Sequence, residues 1–291
     1  MSSVREMTFE LLIRTVQTHE DGLNFLVQRS LIRPPVTCEC GTSLCRCADT
    51  RTRDGFYMRC PACKQSYSIR EKSWFKSVKT PLDTMIKLIY FWCNQFTTKQ
   101  AVHELSLSKP TVTDYYNMFR EICFLEYNTG SKIGGAGKIV QIDESHLFTR
   151  KYNVGRVLRS EQCWIFGGID EDGRIFMQRV VSRSAEVLTG VLMEKVEEGS
   201  IIFSDSWRGY DRLVQHFEHH QVNHSENFVN PIDGTNTQKI EASWSVLKRL
   251  LRKKGTRKVD NVDFYLAEFM FIMHNKNSPF DSFLSLMKKH F

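Results

Sequence analysis

Apolar residues in the second quarter of the chain recur every three to four positions, as they do along one face of a helix. Between Pro81 and Phe96 these residues are Met85, Leu88, Ile89 and Trp92. The spacing predicts an amphipathic helix with one apolar face. A helical region therefore occupies this part of the chain.

A second helical pair follows directly. Thr97 or Thr98 is placed to cap a short helix, and Ser108 with Pro110 marks the start of another. A short helix, a turn and a longer helix match a helix-turn-helix, which places its second helix in the DNA major groove. A plain helical bundle is the alternative. The basic residues compatible with phosphate contacts are Lys99, Lys109 and Arg120.

After residue 138 the pattern changes to the short apolar runs that are typical of strands. The runs are residues 138–148, 163–170, 174–182, 200–207 and 219–226. The turn between the second and third runs predicts a hairpin. Helical spacing returns at 184–199 and 237–254. Three antiparallel strands followed by alternating helix and strand predict an α/β domain resembling ribonuclease H, with a mixed sheet and flanking helices.

Two stripes run along the last of these helices. The apolar stripe is Ile240, Trp244, Leu247 and Leu251, which predicts packing against the sheet. The second stripe is Glu241, Ser245, Lys248 and Arg252, and it lies about 100° around the helix. Glu241 therefore lies in line with Lys248 and Arg252, at the margin of the packed face.

Residues 131–138, SKIGGAGK, form a glycine-rich linker and the clearest domain boundary. The segment lacks the Gly-Lys-Ser/Thr ending of a phosphate-binding P-loop. The expected division is an N-terminal helical segment (1–35), a zinc ribbon (36–78), a helix-turn-helix-like DNA-binding region (79–130), the linker (131–138) and a catalytic domain (139–291).

The composition adds a modest positive charge to this picture. The 291 residues carry 40 Lys and Arg against 33 Asp and Glu, a net charge of +7, which weakly favours an anionic partner. The 41% apolar and 25% charged content excludes wholesale disorder, collagen and coiled coil. No run reaches the roughly 18 apolar residues of a membrane span. We expect an intracellular protein without a membrane partner, in the nucleus of a eukaryote or otherwise in the cytoplasm at the nucleoid.

Six of the nine cysteines fall between residues 38 and 63, and this clustering indicates a metal site. In a reducing compartment clustered cysteines favour metal binding over disulfides, and reduced structural thiols are the alternative. Cys60-Pro-Ala-Cys63 has the two-residue spacing of a zinc knuckle. The predicted zinc ligands are Cys38, Cys40, Cys60 and Cys63, with Cys45 and Cys47 as alternates for the first pair.

Three acids stand out after the glycine-rich linker. Asp143 ends the run IVQID, Asp205 ends IIFSD, and Glu241 lies on the helix after a further 35 residues. In open α/β sheets, sites form at the edge where strands end. One such acid alone is typical of a turn or cap, but clustered carboxylates repel one another unless cations neutralise them. Hard oxygen ligands predict Mg²⁺ or Mn²⁺.

With these motifs the chain resembles the Merlin superfamily of DDE transposases and its bacterial insertion-sequence relatives. The resemblance rests on CECG, RCPACKQSYSIREKSWF, KIGGAGKIVQIDES, KYNVGR, CWIFGGID, IIFSDSWRGYDRL, VNHSENFVNPIDGTNTQKIEASWSVLKRLLR and YLAEFMF. Two positions depart from the family. Cys38-Glu39-Cys40 stands where the family usually has Cys-Pro-x-Cys, and Asn236 stands where it often has histidine.

The resemblance implies a cut-and-paste DNA transposase with a ribonuclease-H-like core. Its catalytic triad maps onto Asp143, Asp205 and Glu241, which would hold two Mg²⁺ or Mn²⁺ ions for hydrolysis and strand transfer. Glu144 is expected on the opposite face of the strand, in a supporting role. The expected partners are transposon terminal inverted repeats and target DNA, bound by a homodimer or a higher oligomer.

Basic residues near the acids are candidates for phosphate contacts. His224, Lys248 and Arg252 are expected to position the phosphate, with a structural histidine and a solvated helix face as the alternatives. Flanking duplex is expected to contact Lys253, Lys254, Arg257 and Lys258. Two other functions fit the same residues, namely a structure-specific DNA nuclease and a domesticated, non-catalytic DNA-binding protein.

Overall fold

The computed structural model describes residues 7–128, 130, 132–149, 162–206, 208–210, 213–222, 234–255 and 261–291. The chain divides into two compact units. Unit 1 is Met1–Ile122 together with Asn277–Phe291, and unit 2 is Cys123–Lys276. Within the described ranges, no helix has the length and apolar character needed to cross a membrane.

Both units contain helices and strands. The helices are α1 (Phe9–Thr15), α2 (His19–Gln28), α3 (Leu82–Cys93), α4 (Thr98–Leu105), α5 (Lys109–Asn128), α6 (Ala185–Lys195), α7 (Gln238–Lys254), α8 (Val262–His274) and α9 (Pro279–His290). The strands are β1 (Cys45–Ala48), β2 (Phe56–Arg59), β3 (Ser66–Tyr67), β4 (Ile139–Thr149), β5 (Gln162–Asp170), β6 (Ile175–Val180), β7 (Ile201–Asp205) and β8 (Glu218–Val222).

Helix α3 is the centre of the helical core of unit 1. Its predicted apolar stripe is fully packed, since none of its four residues is more than 1% exposed. The ring of Trp92 lies 4.8 Å from Phe283 of α9 and 5.6 Å from Phe119 of α5. These contacts include α9 in unit 1, whereas the sequence division had placed it with residues 139–276. The remaining domain boundaries stay predictions.

The predicted starts of α4 and α5 are confirmed. Thr97 caps α4 through a reciprocal capping box with Gln100, and Ser108 accepts a hydrogen bond from the backbone N–H of Thr111 at 3.2 Å. Between the helices, Ser106 has φ 52° in the left-handed region, which turns the chain sharply. A short helix, a tight turn and a longer helix therefore follow one another, as a helix-turn-helix requires.

Unit 2 is built on a five-stranded sheet in the order β6-β5-β4-β7-β8. Strands β4, β5 and β6 are antiparallel, while β7 pairs in parallel with β4 and β8. The predicted hairpin between β5 and β6 is confirmed, with the backbone N–H of Asp170 donating to the carbonyl of Arg174 at 2.9 Å. The observed mixed sheet therefore has the predicted order of antiparallel strands first and parallel strands afterwards.

The sheet is covered by helices whose apolar stripes match its faces. One core packs Val140 and Ile142 of β4 with Leu188 and Leu192 of α6 and Ile202 of β7. Helix α7 contacts β4 and β5. Its predicted apolar stripe is confirmed, because all four residues are buried.

Strand β4 matches the predicted run of residues 138–148, but it does not end at Asp143. Asp143 was expected at the end of the strand, but β4 continues to Thr149 by antiparallel pairing with β5. Pairing with β7 stops earlier, at Gln141 opposite Phe203. Asp143 therefore lies in the middle of its strand, just beyond the parallel ladder.

Candidate active site and metal centre

Four cysteines of unit 1 come together in two tight turns. The sulfurs of Cys38 and Cys63 are 3.5 Å apart, and those of Cys40 and Cys60 are also 3.5 Å apart. All four ligand atoms lie within 4.8 Å of one another, close enough to hold one metal ion. The predicted first-choice set is therefore the one that the structure brings together.

The turns explain how the four sulfurs converge. The N–H of Gly41 donates to the carbonyl of Cys38 at 2.9 Å, and that of Lys64 donates to Cys60 at 3.1 Å. Hydrogen bonds from Thr42 lower the pKa of Cys40 to about 6. The shift favours the thiolate, which is the form of cysteine that binds metal.

The alternate cysteines lie elsewhere. Cys45 and Cys47 are on strand β1, paired with Arg59 and Tyr57 of β2. Neither belongs to the four-cysteine group. The structure therefore supports Cys38 and Cys40 as the first pair in preference to these alternates.

Two of the predicted acids occupy matching positions on neighbouring strands. In the parallel ladder Ile139 pairs with Ile201 and Gln141 with Phe203. Continuing this register by two residues sets Asp143 level with Asp205. Residues at the same level of adjacent parallel strands lie about 5 Å apart and point to the same face. This extended register agrees with the electrostatics, since the charge of Asp205 contributes to raising the pKa of Asp143.

The third acid, Glu241, lies in the first turn of α7. The hydroxyl of Thr237 donates to Glu241 Oε1 at 2.7 Å, and Thr237 itself is 1% exposed. One turn further along, the indole Nε1 of Trp244 donates to Asp143 Oδ2 at 2.9 Å. The helix that carries Glu241 is therefore hydrogen bonded directly to Asp143.

The electrostatics of Asp143 show that the three acids interact. Burial, together with the charges of Asp205 and Glu241, raises the pKa of Asp143 to about 6, although the hydrogen bond from Trp244 opposes the shift. Among the described residues, the four cysteines form the group of three or more potential metal ligands whose ligand atoms all lie within 4.8 Å of one another. The three acids do not meet this limit, so at least one pair of them is farther apart. Such mutual repulsion is what a bound cation would relieve.

Glu144 lies on the other face of β4, as expected for a neighbour of Asp143 in a continuing strand. The hydroxyl of Tyr210, which is fully buried, donates to Glu144 Oε1. Burial raises the pKa of Glu144 to about 7, although this hydrogen bond opposes the shift. Glu144 thus contacts the α6-side core rather than the α7 face.

The basic residues of α7 differ in their surroundings. Lys248 is half-buried and Arg252 is exposed. Lys254 had been expected to contact DNA, but its Nζ lies 2.6 Å from Oε1 of the fully buried Glu268. This ion pair ties α7 to α8 and makes Lys254 structural. His224, Arg257 and Lys258 lie outside the described residues.

Sequence reasoning missed one contact residue and understated another. Gln141 is 6% exposed, and its Oε1 accepts the backbone N–H of Lys239 at 2.8 Å. Trp244 was expected only to pack. The sequence does contain a signal for Gln141, which is a polar residue inside an apolar run. Because it lies two positions before Asp143, it is on the same face of the strand as that acid.

Known proteins similar to this chain are transposases. Residues 135–273, which contain all three acids, match the family model of the ISXO2-like transposase domain. A protein of Haemophilus influenzae (strain ATCC 51907 / DSM 11121 / KW20 / Rd), described as an uncharacterized transposase-like protein, is 30% identical over 120 residues, covering 40% of this chain and 92% of that protein.

Two solved structures are similar at lower identity. The Mos1 transposase paired-end complex with left transposon end is 13% identical, with a TM-score of 0.21 over 70% of this chain and 78% of that one. The pre-cleavage Mos1 transpososome is 11% identical, with a TM-score of 0.20 over 71% of this chain and 78% of that one.

The matched transposase domain is typical of nucleic-acid-processing enzymes. The chain belongs to the family of insertion-sequence transposases with an ISXO2-like transposase domain.

Proposed function

We propose that this protein is a DNA transposase that cleaves transposon ends and joins them to target DNA. The observation that carries the proposal is the hydrogen bond that joins the Glu241 helix to Asp143, whose pKa is raised by burial and by the charges of Asp205 and Glu241. All three acids lie inside the transposase domain. We infer that unit 2 is a ribonuclease-H-like catalytic domain.

The three carboxylates fit a divalent-cation site. Hard oxygen donors suit Mg²⁺ or Mn²⁺. Burial raises the pKa of Asp143, the charges of Asp205 and Glu241 add to the shift, and a cation would offset those charges. Asp143, Asp205 and Glu241 would hold two such ions. Bound divalent cations supply the charge that activates a water or 3′-hydroxyl and stabilises the leaving oxygen of the scissile phosphate.

The side chains of the protein supply position and neutralisation. Asp143 is fixed by the indole of Trp244, and Glu241 is held by Thr237. Lys248 and Arg252 lie on the same stripe of α7 as Glu241. We place them on the DNA backbone near the cleaved bond, where their charges offset those of the phosphates.

In unit 1 we assign zinc to the four-cysteine group. Four thiolates fill one tetrahedral shell, and sulfur ligands at this spacing suit zinc. The two short turns and strands β1–β3 would then form a zinc ribbon. We assign α4 and α5 to DNA binding as a helix-turn-helix, with α5 as the helix that enters the groove.

The test of the function is a strand-transfer assay with purified full-length protein, labelled transposon-end DNA, a target plasmid and Mg²⁺ or Mn²⁺. Joined products are expected. Cleavage without joining would identify a structure-specific nuclease, and DNA binding without cleavage would identify a non-catalytic regulator. Because two ends must be paired before joining, we expect a dimer or a larger assembly on DNA, which light scattering measures.

A further inference from the structure

Strand β4 is hydrogen bonded to α7 at two points on either side of Glu241. Gln141 Oε1 accepts the backbone N–H of Lys239 at 2.8 Å, and Asp143 Oδ2 accepts the indole N–H of Trp244 at 2.9 Å. Gln141 and Asp143 are two residues apart, so both side chains project from the same face of the strand. The acid Glu241 lies between the two attachment points.

The spacing of the attachments matches on both elements. Two residues of strand cover about 6.6 Å, and the five residues from Lys239 to Trp244 rise about 7.5 Å along a helix. Both bonds can therefore form together when α7 runs beside β4, as they do here. Gln141 also donates through Nε2 to Asn236 Oδ1 at 3.0 Å, just before the helix begins. The start of α7 is thus anchored to the strand that carries Asp143.

A glycine opposite Asp143 gives an independent sign that the indole is accommodated there. Gly167 of β5 pairs with Asp143. A Cβ at Gly167 would lie 2.8 Å from the Cη2 atom of Trp244 and 3.0 Å from the carbonyl of Phe176. A larger residue would displace the ring from the sheet. The strand therefore leaves room for Trp244 at the point where its N–H reaches the carboxylate.

We propose that Trp244 and Gln141 are positioning residues of the carboxylate site, which hold Glu241 in fixed register with Asp143. This inference rests on the proposed function. A carboxylate has about four lone-pair sites. The indole occupies one of them and fixes the rotation of the group, while the others stay available to a cation. Gln141 acts at the other end by fixing the helix start.

The affinity of the site for a cation should therefore depend on Trp244 and Gln141, although neither residue has a carboxylate. Partners that orient metal ligands typically contribute 10–100-fold in metal affinity or activity. We expect Trp244→Phe, which removes the N–H donor, to raise the Mn²⁺ dissociation constant by roughly 10-fold or more. Gln141→Met, which keeps side-chain length and removes both hydrogen bonds, should act in the same direction.

The test measures Mn²⁺ binding to the full-length protein by electron paramagnetic resonance, together with the Mn²⁺ dependence of end cleavage. Trp164→Phe is the matched control, because its indole donates to Gln162 of the same strand and not to an acid. Circular dichroism and thermal unfolding check the fold. If Trp244→Phe unfolds the protein, site-specific replacement of Trp244 by its benzothiophene isostere removes the N–H and keeps the ring size.

Each result decides between the two proposals. Mn²⁺ affinity that falls for both positioning variants and not for Trp164→Phe supports the inference. Affinity within about twofold of the parent for a folded Trp244 variant and for Gln141→Met overturns it, provided Asp143→Asn loses binding. If Asp143→Asn itself keeps Mn²⁺ binding and cleavage, the carboxylate metal site is refuted, and the positioning role is refuted with it.

Discussion

At the scale of single residues, removing the negative charge distinguishes a carboxylate that holds a catalytic cation from one that only caps a turn. Asp143→Asn, Asp205→Asn and Glu241→Gln keep the side-chain shape and remove the metal-binding charge. Because the cations supply several kcal/mol of transition-state stabilisation, each variant should cleave roughly 1000-fold more slowly or worse. Gel-based cleavage of labelled ends in Mg²⁺ measures this.

End binding is the control for these variants, since the phosphate contacts proposed for unit 1 and for α7 do not include the acids. Electrophoretic mobility shifts should therefore stay close to those of the parent protein. An acid whose neutral variant still cleaves at a near-normal rate is not part of the triad.

His274 is the residue whose titration should appear in the stability of unit 2. Its Nε2 accepts the backbone N–H of Ile175 at 2.8 Å, and burial lowers its pKa below the ordinary value. The unfolded chain, with a histidine pKa of about 6.5, therefore binds a proton more readily than the folded one. The stabilisation is complete above about pH 6.5 and is lost as the pH falls through the folded pKa.

The His274→Gln variant isolates this effect. The difference in unfolding free energy between the parent and the variant should shrink as the pH falls from about 7 towards 5. Urea unfolding at several pH values measures it, and taking the difference cancels other titrating groups such as Asp143. A difference that is independent of pH would show that His274 titrates alike in both states.

At the scale of elements, one buried ion pair joins three segments of unit 1. The guanidinium of Arg70, 2% exposed, donates through Nε to Asp54 Oδ2 at 2.8 Å. His19 of α2 lies 2.9 Å from Asp54 through Nε2, and its Nδ1 accepts the first N–H of α3 from Leu82 at 3.3 Å. The loop between β1 and β2 is thus linked to two helices.

We expect Asp54→Ala to destabilise the protein by about 3 to 5 kcal/mol, because it leaves the buried charge of Arg70 without its carboxylate. Chemical denaturation measures the loss. Asp49→Ala is the matched control in the same hairpin, since its partner Arg51 has a side chain 89% exposed. That change should cost less than about 1 kcal/mol. Equal losses in the two variants would contradict the assigned role of Asp54.

Most of these elements could be predicted because their signals are local. The stripe of α7 and the caps Thr97 and Ser108 can be recognised from residues that lie close together in the sequence. The position of Asp143 in the middle of β4 was not predicted, because it depends on pairing between β5 and the second half of β4. For the same reason the sequence identified Asp143 as a candidate but not its bond to Trp244, which joins residues 101 positions apart.

At the scale of the whole molecule, we expect the four-cysteine group of unit 1 to hold one metal ion. Purified protein should contain about one zinc per chain, because four thiolates complete one tetrahedral shell. Changing Cys60 and Cys63 to Ser should release the zinc and weaken end binding, as plasma emission spectrometry and mobility shifts would show. The matched control changes Cys45 and Cys47 to Ser, which should keep the metal. A metal-free protein with unchanged fold and end binding would contradict the zinc assignment.

The net charge of +7 contributes to DNA binding only where Lys and Arg side chains contact phosphates. Lys248 and Arg252 share a stripe with Glu241, so we expect both to contact the backbone near the cleaved bond. Each phosphate contact contributes about 0.9 to the slope of log affinity against log salt. Changing both residues to Ala should therefore flatten the slope by roughly 1 to 2 units and weaken binding alike on all sequences.

Fluorescence anisotropy of labelled end DNA across a salt series measures this slope. Lys288→Ala with Lys289→Ala is the control, because it removes the same charge from exposed positions at the end of α9. If only general charge mattered, both pairs would reduce affinity alike. If α7 lies on the DNA, only the Lys248 and Arg252 pair flattens the slope. An unchanged slope for that pair, with fold and metal content preserved, would make its stripe an ordinary solvated surface.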